Sequence, residues 1–275
     1  MRILLILSFL LSLNSFADSP ARFKKVMIVV LENTNYEQAL KQTFMSKIAA
    51  GGALLKNFTA ITHPSQPNYI AMVAGSTHKV ITDSNVTRDV KHLGDLLEEK
   101  GLNWKTYAEK YPENCYLKKT SGQYARKHVP FLSFKNVQSN PIRCSKIVNA
   151  SALVADVENE TLPEFSMYIP DNNNNGHDTN PGFADKWFAK TFEPLIANPK
   201  FMKDMLLVVT FDETESYKGR NHILTAYYGS GVVPGSVSDA AYNHYSTLRT
   251  IEDEFQLGTL GLNDSTAEPI KGIWK

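Results

Sequence analysis

Two runs of mainly apolar, largely β-branched residues constrain the fold of this chain more than any other feature. They cover residues 26–31 and 205–211 and read VMIVVL and MLLVVTF. A strand without polar alternation is buried on both faces, which is typical of a parallel sheet covered by helices. Amphipathic segments that predict helices alternate with strand-like runs, at residues 36–50, 92–100, 184–196 and 246–255. This alternation predicts an α/β fold, a three-layer α/β/α sandwich with a mostly parallel central sheet.

Shorter segments complete the predicted fold. Further runs indicate a short helix and four strands, at residues 68–74 for the helix and at 58–61, 104–107, 164–169 and 223–228 for the strands. No repeat, low-complexity linker or change of composition divides the chain, so we expect a single domain over residues 18–275. The polar segment 111–149 is interpreted as an insertion in that domain.

Composition narrows the class of protein. Of the 275 residues, 43% are hydrophobic and 21% are charged, which excludes a disordered chain, a collagen-like repeat and a coiled coil. Lys and Arg number 29 against 28 Asp and Glu, so the net charge is +1. Without a general basic field we expect no nucleic-acid partner.

The first 17 residues predict a cleaved secretory signal peptide. Arg2 supplies a positive start, residues 3–13 are almost entirely apolar, and Ser15-Phe16-Ala17 is a small-x-small cleavage site. The apolar run is shorter than the roughly 20 residues that a transmembrane helix needs. We therefore expect a secreted or periplasmic protein without a transmembrane segment after cleavage, and an uncleaved anchor is the alternative.

The two cysteines, Cys115 and Cys144, predict one disulfide if the protein is exported. It would close a loop of about 30 residues, for which the chain-entropy argument gives roughly 3–4 kcal/mol of stabilisation. A thiolate nucleophile is the alternative, but no arrangement around either cysteine favours it.

Polar residues follow three of the predicted strands: Glu32 and Asn33 after the first, Asp171 and His177 after the run ending at 169, and Asp212 and Glu213 after the run ending at 211. In a parallel sheet these ends meet at one edge, where ligands bind. A single acidic residue there often caps the next helix. Several carboxylates gathered at one edge repel each other unless a cation neutralises them, so we predict a metal site.

The loop after residue 169 resembles the first half of an EF-hand, because Asp171, Asn173, Asn175 and Gly176 are correctly spaced. The twelfth position should be a bidentate Glu and is Gly182, so we reject an EF-hand. Asp171 and His177 remain a plausible pair of ligands for a transition metal.

Ser65 is the candidate nucleophile. It lies between a predicted strand and a predicted helix, with Pro67 in the first helical turn. An oxygen at that position lies in the positive field of the helix N-terminus, among N–H groups that suit phosphate. Many serines before helices are only N-caps, and the neighbouring metal edge is what favours catalysis here.

Five motifs together resemble the bacterial phosphoesterase family. They are VVLEN ending at Asn33, THPSQPNYIAMVAG at 62–75, YARKHVPF at 124–131, FDE at 211–213 and YNHYSTLRTIE at 242–252. The family includes secreted acid phosphatases, non-specific phospholipases C and phosphatidylinositol-3-phosphate phosphatases, and is similar to the alkaline phosphatase superfamily in fold. The resemblance spans residues 26–257.

The resemblance implies a role for each matching residue. Ser65 would be the nucleophile and, through its oxygen, a metal ligand together with Glu32, Asn33, Asp212 and Glu213. Asp171, His177 and His244 would form a second metal or phosphate cluster, with His222 competing with His244 for the ligand position. Asn85 would contact a phosphate oxygen, and His63 and His128 would contact phosphate or donate a proton.

Two departures from the superfamily pattern matter. Asp212-Glu213 stands where many members have Asp-His, which makes the site richer in oxygen and leaves the divalent metal open between zinc, calcium, magnesium and manganese. A sulfatase is disfavoured, because its motif ends in Arg and this chain has Tyr69 there.

We therefore expect a secreted, metal-assisted phosphomonoesterase that forms a phosphoserine intermediate and acts on phosphorylated small molecules or phospholipid head groups. A phosphodiesterase of the phospholipase C type and a phosphoinositide phosphatase are the catalytic alternatives. A secreted binding protein that keeps the fold and a cation is the non-catalytic one.

Overall fold

The computed structural model describes residues 21–275. The predicted signal peptide at residues 1–17 lies outside the described part of the chain. Twelve strands form within it: β1 (Lys25–Leu31), β2 (Ala53–Leu55), β3 (Phe58–Thr59), β4 (Trp104–Ala108), β5 (Thr120–Ser121), β6 (Tyr124–Ala125), β7 (Ile147–Asn149), β8 (Phe165–Ile169), β9 (Met205–Phe211), β10 (Thr225–Gly229), β11 (Ser236–Ser238) and β12 (Tyr242–Asn243).

Eleven α-helices form in the same part: α1 (Tyr36–Leu40), α2 (Thr43–Gly51), α3 (Ser65–Ala74), α4 (Leu93–Glu99), α5 (Lys135–Gln138), α6 (Pro141–Cys144), α7 (Ala152–Glu158), α8 (Pro181–Ile196), α9 (Pro199–Met202), α10 (His244–Glu254) and α11 (Asn263–Thr266). Two 3₁₀ helices, Arg126–His128 and Pro130–Ser133, follow β6. Over residues 21–275, no helix combines the length and the apolar character needed to cross a bilayer.

Eight strands form the central sheet in the order β11-β2-β10-β9-β1-β8-β4-β7. Within it only β10 runs against its neighbours, and every other pairing is parallel. The prediction of a mostly parallel sheet is confirmed. The central strands β1, β8 and β9 are buried along almost their whole length, as their unbroken apolar runs require.

Helices cover both faces of this sheet. Phe165 and Tyr168 are three residues apart on β8 and therefore point to opposite faces. The Phe165 ring packs on Phe131 of the second 3₁₀ helix, whereas Tyr168 packs on Trp187 and Phe192 of α8. Helix α3 packs against α10 and both 3₁₀ helices on one side, and α2 packs against α8 on the other. The three-layer prediction is thereby confirmed.

The predicted helix over residues 36–50 is two helices, α1 and α2. The chain is extended at Gln42, and the Asp185 carboxylate of α8 accepts hydrogen bonds from Phe44 N at 3.0 Å and from Met45 N at 2.8 Å. A long-range carboxylate thus caps α2, in the role that a local side chain usually plays. Gly52 follows α2, and a Cβ there would collide with the Tyr227 carbonyl oxygen on β10.

The predicted insertion 111–149 is closely tied to the domain. It ends in β7, an edge strand of the central sheet. This strand has three residues, which are too few for sequence periodicity to predict it. The predicted disulfide joins Cys115 to Cys144 across this segment, with the two Cα atoms 5.5 Å apart. Strand β2, which pairs with β10 and β11, is also too short to be predicted from its pattern.

Candidate active site

Ser65 is the first residue of α3, a helix in which every residue is buried. Asn68 shapes the turn that precedes it. Its Oδ1 accepts hydrogen bonds from Ile61 N at 2.9 Å and Thr62 N at 3.1 Å, while its Nδ2 donates to the Thr62 carbonyl at 2.8 Å. The Ser65 hydroxyl is therefore held at the helix N-terminus, where backbone N–H groups favour negative charge.

Parallel pairing of β1 with β9 brings the predicted carboxylates together. Leu31 and Phe211 are register partners, so the next residues, Glu32 and Asp212, leave the sheet side by side. Ser65 Oγ lies 3.1 Å from Glu32 Oε2 and 3.3 Å from Glu213 Oε1. All four side chains are buried. The structure thus gathers Glu32, Ser65, Asp212 and Glu213 around one point.

Asn33 joins this group through its backbone. Its φ of 46° lies in the left-handed region, which Asn adopts more readily than most residues. In this conformation Asn33 N donates a hydrogen bond to Asp212 Oδ1 at 3.3 Å. The strand-to-loop turn therefore ties the Glu32 side of the site to the Asp212 side.

The pKa values of the three buried carboxyl groups, Glu32, Asp212 and Glu213, are all raised. Burial, reinforced by Asp212, raises the pKa of Glu32 well above its ordinary value. Burial and the adjacent Glu213 raise the pKa of Asp212 to about 7, and burial and Glu32 raise the pKa of Glu213 to about 8. Each shift disfavours the ionised form, so protons or a cation must compensate the charge.

The residues present fit a hard divalent cation. Asn33 Oδ1 and Asp212 Oδ2 are buried and make no hydrogen bond within residues 21–275, and Glu213 Oε2 faces only the His63 ring nitrogen. Carboxylate and amide oxygens are the ligands that magnesium, calcium and manganese prefer. Within residues 21–275, no three His, Cys, Asp or Glu side chains are arranged so that they could hold a metal ion by themselves. The fit thus rests on the chemistry of these oxygen donors, and metal binding stays a prediction.

The second oxygen of Glu32 faces away from Ser65. Glu32 Oε1 accepts a hydrogen bond from the Tyr69 hydroxyl at 2.7 Å and lies 3.0 Å from His128 Nε2. His128 is buried, and burial lowers its pKa well below the ordinary value. The structure therefore places His128 against Glu32, and its predicted contact with phosphate stays a prediction.

His63 lies at the rim of the site. Its Nδ1 is 2.5 Å from Glu213 Oε2, and its ring stacks on Tyr217 with centroids 4.3 Å apart. Tyr217 is 69% exposed. Beside these residues a cleft of about 210 Å³ opens between the loops that follow β8 and β9. A larger cavity, of about 580 Å³, lies at the disulfide and has none of the cluster residues in its lining.

His244 supports the cluster from behind. This first residue of α10 is buried, and its Nε2 lies 2.9 Å from the Asp212 carbonyl oxygen. Burial lowers its pKa to about 4, so the ring is neutral at physiological pH. The competing residue, His222, instead stacks on Tyr36 and contacts the Lys56 carbonyl, away from the carboxylates.

Asp171 and His177 line different clefts. Asp171 Oδ1 accepts hydrogen bonds from Asn173 N and Asn174 N, both at 3.0 Å, and so shapes its own loop. His177 lines the cleft beside Glu213, and its ring lies 6.0 Å from that of His128. A second metal cluster that includes both residues therefore stays a prediction.

Asn85 is exposed, and its Nδ2 donates to the Leu117 carbonyl at 3.3 Å instead of reaching α3. Two residues earlier, Asp83 does reach α3: its Oδ1 accepts a hydrogen bond from Gln66 N at 3.0 Å. Its Oδ2 accepts from Lys127 Nζ at 2.8 Å. Sequence reasoning missed Asp83, Lys127 and Tyr69. Lys127 and Tyr69 lie inside motifs quoted for the family resemblance, and that position is the signal that could have identified them.

Comparisons with known proteins identify the family of this chain. The chain matches the Phosphoesterase family over residues 34–258. It is 38% identical over 264 residues to a probable acid phosphatase of Kluyveromyces lactis, an alignment that covers 91% of this chain and 62% of that protein. It is 34% identical over 263 residues to a phosphatidylinositol-3-phosphatase of Mycobacterium tuberculosis, covering 94% of this chain and 85% of that protein.

The chain spans 58–63% of the length of the curated acid phosphatases that it matches. Among solved structures, it is similar to an alkaline phosphatase superfamily protein from Vibrio parahaemolyticus, with a TM-score of 0.61 and 14% identity over 92% of this chain and 72% of that chain. This likeness supports the predicted superfamily fold. The family match and the sequence identities show that the chain belongs to the Phosphoesterase family.

Proposed function

We propose that this protein is a metal-assisted phosphoric ester hydrolase that acts on monoesters through a phosphoserine intermediate on Ser65. One observation carries the proposal: the Ser65 hydroxyl lies at the N-terminus of α3, within 3.1 Å of Glu32 Oε2 and 3.3 Å of Glu213 Oε1. A nucleophile, adjacent proton acceptors and a helix N-terminus are the groups that phosphoryl transfer needs.

Glu32, Asn33, Asp212 and Glu213 are the residues that would hold a divalent cation, which would lower the pKa of the Ser65 hydroxyl and stabilise charge on the phosphoryl oxygens. The chain's own residues account for the remaining steps. Ser65 Oγ gives its proton to a neighbouring carboxylate and attacks phosphorus in line, forming an O–P bond as the ester O–P bond breaks. Water then attacks phosphorus and releases inorganic phosphate and free Ser65.

The leaving alcohol needs a proton, and His63 is the best placed of the predicted histidines to supply it. It is partly exposed at the rim and touches Glu213. His128 is buried against Glu32, and His244 is buried against the Asp212 carbonyl, so neither reaches the rim. In this proposal His128 orients Glu32, and His244 supports the Asp212 backbone.

The first test compares p-nitrophenyl phosphate with bis-p-nitrophenyl phosphate, from acid to alkaline pH, with and without chelator. We expect monoester turnover that chelation abolishes and added divalent metal restores. Ser65→Ala should reduce it by about a thousandfold or more, because the nucleophile is lost. Ser151→Ala, which alters an exposed serine at the start of α7, is the matched control.

Acid quenching during turnover should trap one phosphoryl group on the peptide that contains Ser65. Wild-type turnover in Ser65→Ala would overturn the nucleophile assignment. A preference for the diester would move the protein to the phospholipase C type. Absence of turnover on both esters with every metal would favour the non-catalytic binding protein.

A phosphoinositide phosphatase is the second candidate, favoured by the similarity to the Mycobacterium tuberculosis protein across 94% of this chain. Phosphatidylinositol 3-phosphate in mixed micelles, compared with a soluble monoester at matched concentration, distinguishes the two. A higher kcat/KM for the lipid would select the phosphoinositide activity.

Export is part of the proposal. Expression of residues 1–275 in a bacterial host should place the protein in the periplasm or medium, and N-terminal sequencing should begin at Asp18. Retention of Met1 in a membrane fraction would indicate an uncleaved anchor instead.

A further inference from the structure

Lys127 is a cationic residue beside the carboxylate cluster, and the proposed mechanism gives it no role. It is the middle residue of the 3₁₀ helix Arg126–His128, which packs against α3. Its side chain is only 15% exposed. Its Nζ lies 3.5 Å from Nε2 of His177, which lines the same cleft as Glu213. A part-buried lysine next to this cleft needs a chemical explanation.

The position of Lys127 is fixed relative to the nucleophile through one carboxylate. Lys127 Nζ donates to Asp83 Oδ2 at 2.8 Å, and Asp83 Oδ1 accepts from Gln66 N at 3.0 Å. Gln66 directly follows Ser65. Asp83 therefore connects the ammonium to the peptide that carries the attacking oxygen.

The backbone around Lys127 is held just as firmly. Arg126 donates hydrogen bonds to the carbonyls of Leu117 at 2.7 Å, Leu132 at 2.8 Å and Val86 at 3.0 Å. On the other side, His128 lies against Glu32. The backbone is held on both sides of Lys127, and Asp83 holds its ammonium. The lysine is therefore preorganised, and little reorganisation is needed when a substrate binds.

The Lys127 ammonium can donate a further hydrogen bond to a ligand. It has three N–H groups, of which one goes to Asp83 and a second points toward His177 Nε2 at 3.5 Å. The third is available to a ligand oxygen. A phosphate monoester carries one more negative charge than a diester, and that charge is on nonbridging oxygens. A fixed cation beside the nucleophile therefore favours the monoester.

We infer that Lys127 binds a nonbridging phosphoryl oxygen of the substrate and that Asp83 positions Lys127 for this contact, which makes the pair a determinant of monoester over diester selectivity. The inference rests on the proposed phosphomonoesterase function. It adds a substrate-binding residue and a positioning residue to the site.

The test uses the metal-loaded full-length protein with Lys127→Met, Lys127→Arg and Asp83→Asn variants. Lys105→Met is the matched control, because Lys105 is also a part-buried lysine paired with an aspartate, Asp156, at 2.7 Å. The ratio of kcat/KM for p-nitrophenyl phosphate to that for bis-p-nitrophenyl phosphate is measured for each. A charge-assisted contact of this type is associated with about a tenfold to hundredfold change.

We expect Lys127→Met to lower that ratio at least about tenfold, mainly through a higher KM for the monoester. Lys127→Arg should restore part of the ratio, since the charge is kept. Asp83→Asn should lower the ratio in the same direction by a smaller factor, because the lysine is retained but less well positioned. Lys105→Met should leave the ratio unchanged. Equal losses on both esters in Lys127→Met would overturn the inference.

Binding of inorganic phosphate, measured by calorimetry with the same variants, separates this inference from the proposed function. Weaker phosphate binding in Lys127→Met, at least about tenfold relative to wild type and Lys105→Met, supports the contact even if the wild type hydrolyses neither ester. If phosphate binds in this way but neither ester is hydrolysed, the hydrolase proposal fails and the inference about Lys127 stands. Undiminished phosphate binding in Lys127→Met, or no binding in the wild type, overturns the role of Lys127.

Discussion

Three consecutive residues, Arg126, Lys127 and His128, contact three different parts of the molecule. Arg126 holds backbone carbonyls, Lys127 pairs with Asp83, and His128 lies against Glu32. A 3₁₀ helix turns by about 120° per residue, so neighbouring side chains point in separate directions. One short turn therefore combines structural support, the inferred substrate contact and orientation of a carboxylate.

Tyr69 gives the sharpest prediction at the scale of single residues. Its hydroxyl donates to Glu32 Oε1 at 2.7 Å, whereas Ser65 uses Oε2 of the same carboxylate. Removal of a group that orients a metal ligand typically costs about 10–100-fold in metal affinity or activity. We expect Tyr69→Phe to weaken metal affinity and turnover by a factor in this range, as measured by metal titration and initial rates.

Tyr227→Phe is the control for that prediction. Tyr227 is also buried and its hydroxyl donates to Thr247 at 2.9 Å, away from the carboxylates. Both variants should lose similar stability, and only Tyr69→Phe should lose metal affinity. Unchanged affinity in Tyr69→Phe would mean that Glu32 is held by other contacts.

At the scale of elements, the pairing of two strands decides the site. Leu31 and Phe211 are partners on β1 and β9, so Glu32 and Asp212 follow at the same level of the sheet. A shift of one residue in a strand would turn its side chains to the other face. The apolar runs that specify this register are therefore also what aligns the acidic residues.

Helix α10 contains a carboxyl group with a different role. Glu252 is fully buried, and neither of its carboxylate oxygens has a hydrogen-bond partner within residues 21–275. Burial, with Asp264 nearby, raises the pKa of Glu252 to about 9. The folded protein therefore keeps a proton that the unfolded chain releases above its ordinary pKa of 4.5.

This difference predicts a pH dependence. A raised pKa in the folded state stabilises the fold fully below 4.5, and the contribution is lost as the pH rises toward about 9. Between about pH 6 and about pH 8 we expect Glu252 to reduce the free energy of unfolding by about 1–3 kcal/mol. Urea unfolding at both pH values measures it. Asp212 and Glu213 titrate in the same pH range, so Glu252→Gln should reduce this slope without abolishing it, and an unchanged slope in that variant would assign it to those two groups.

At the scale of the whole molecule, the disulfide encloses the segment that carries Lys127 and His128. Cys115 and Cys144 are 29 positions apart, with Cα atoms separated by 5.5 Å. The segment also includes both 3₁₀ helices and reaches the central sheet just beyond it, at β7. The disulfide thus anchors a part of the site that comes from outside the central sheet.

We expect the double variant Cys115→Ser, Cys144→Ser to lose about 3–4 kcal/mol of unfolding free energy, since the unfolded chain regains the freedom of a closed loop. Denaturant unfolding with and without reductant measures the loss. Turnover of the folded variant should stay within about threefold of wild type, because the hydrogen bonds of Arg126 still hold the segment. A much larger loss of turnover in a fully folded variant would show that the disulfide itself positions the site.

Local pattern was sufficient for much of this protein. Unbroken apolar runs predicted the buried parallel strands, and the residues directly after them, Glu32 and Asp212, were predicted at one edge because parallel strands end together. Ser65 was predicted to lie before a helix, and α3 begins at that residue. These inferences succeed because burial periodicity and strand direction are properties of short segments.

Long-range contacts decided the rest. Asp185 breaks the predicted helix 36–50 by capping α2 from α8, and Asp83, not Asn85, reaches the N-terminus of α3. The place of His128 behind Glu32 likewise depends on how the segment after β6 packs on α3. Each of these contacts joins residues far apart in the chain, and no local periodicity specifies which loop residue faces inward. The chain alone therefore determined its strands, their acidic ends and the place of Ser65 at the start of a helix, whereas packing decided which side chains surround Ser65.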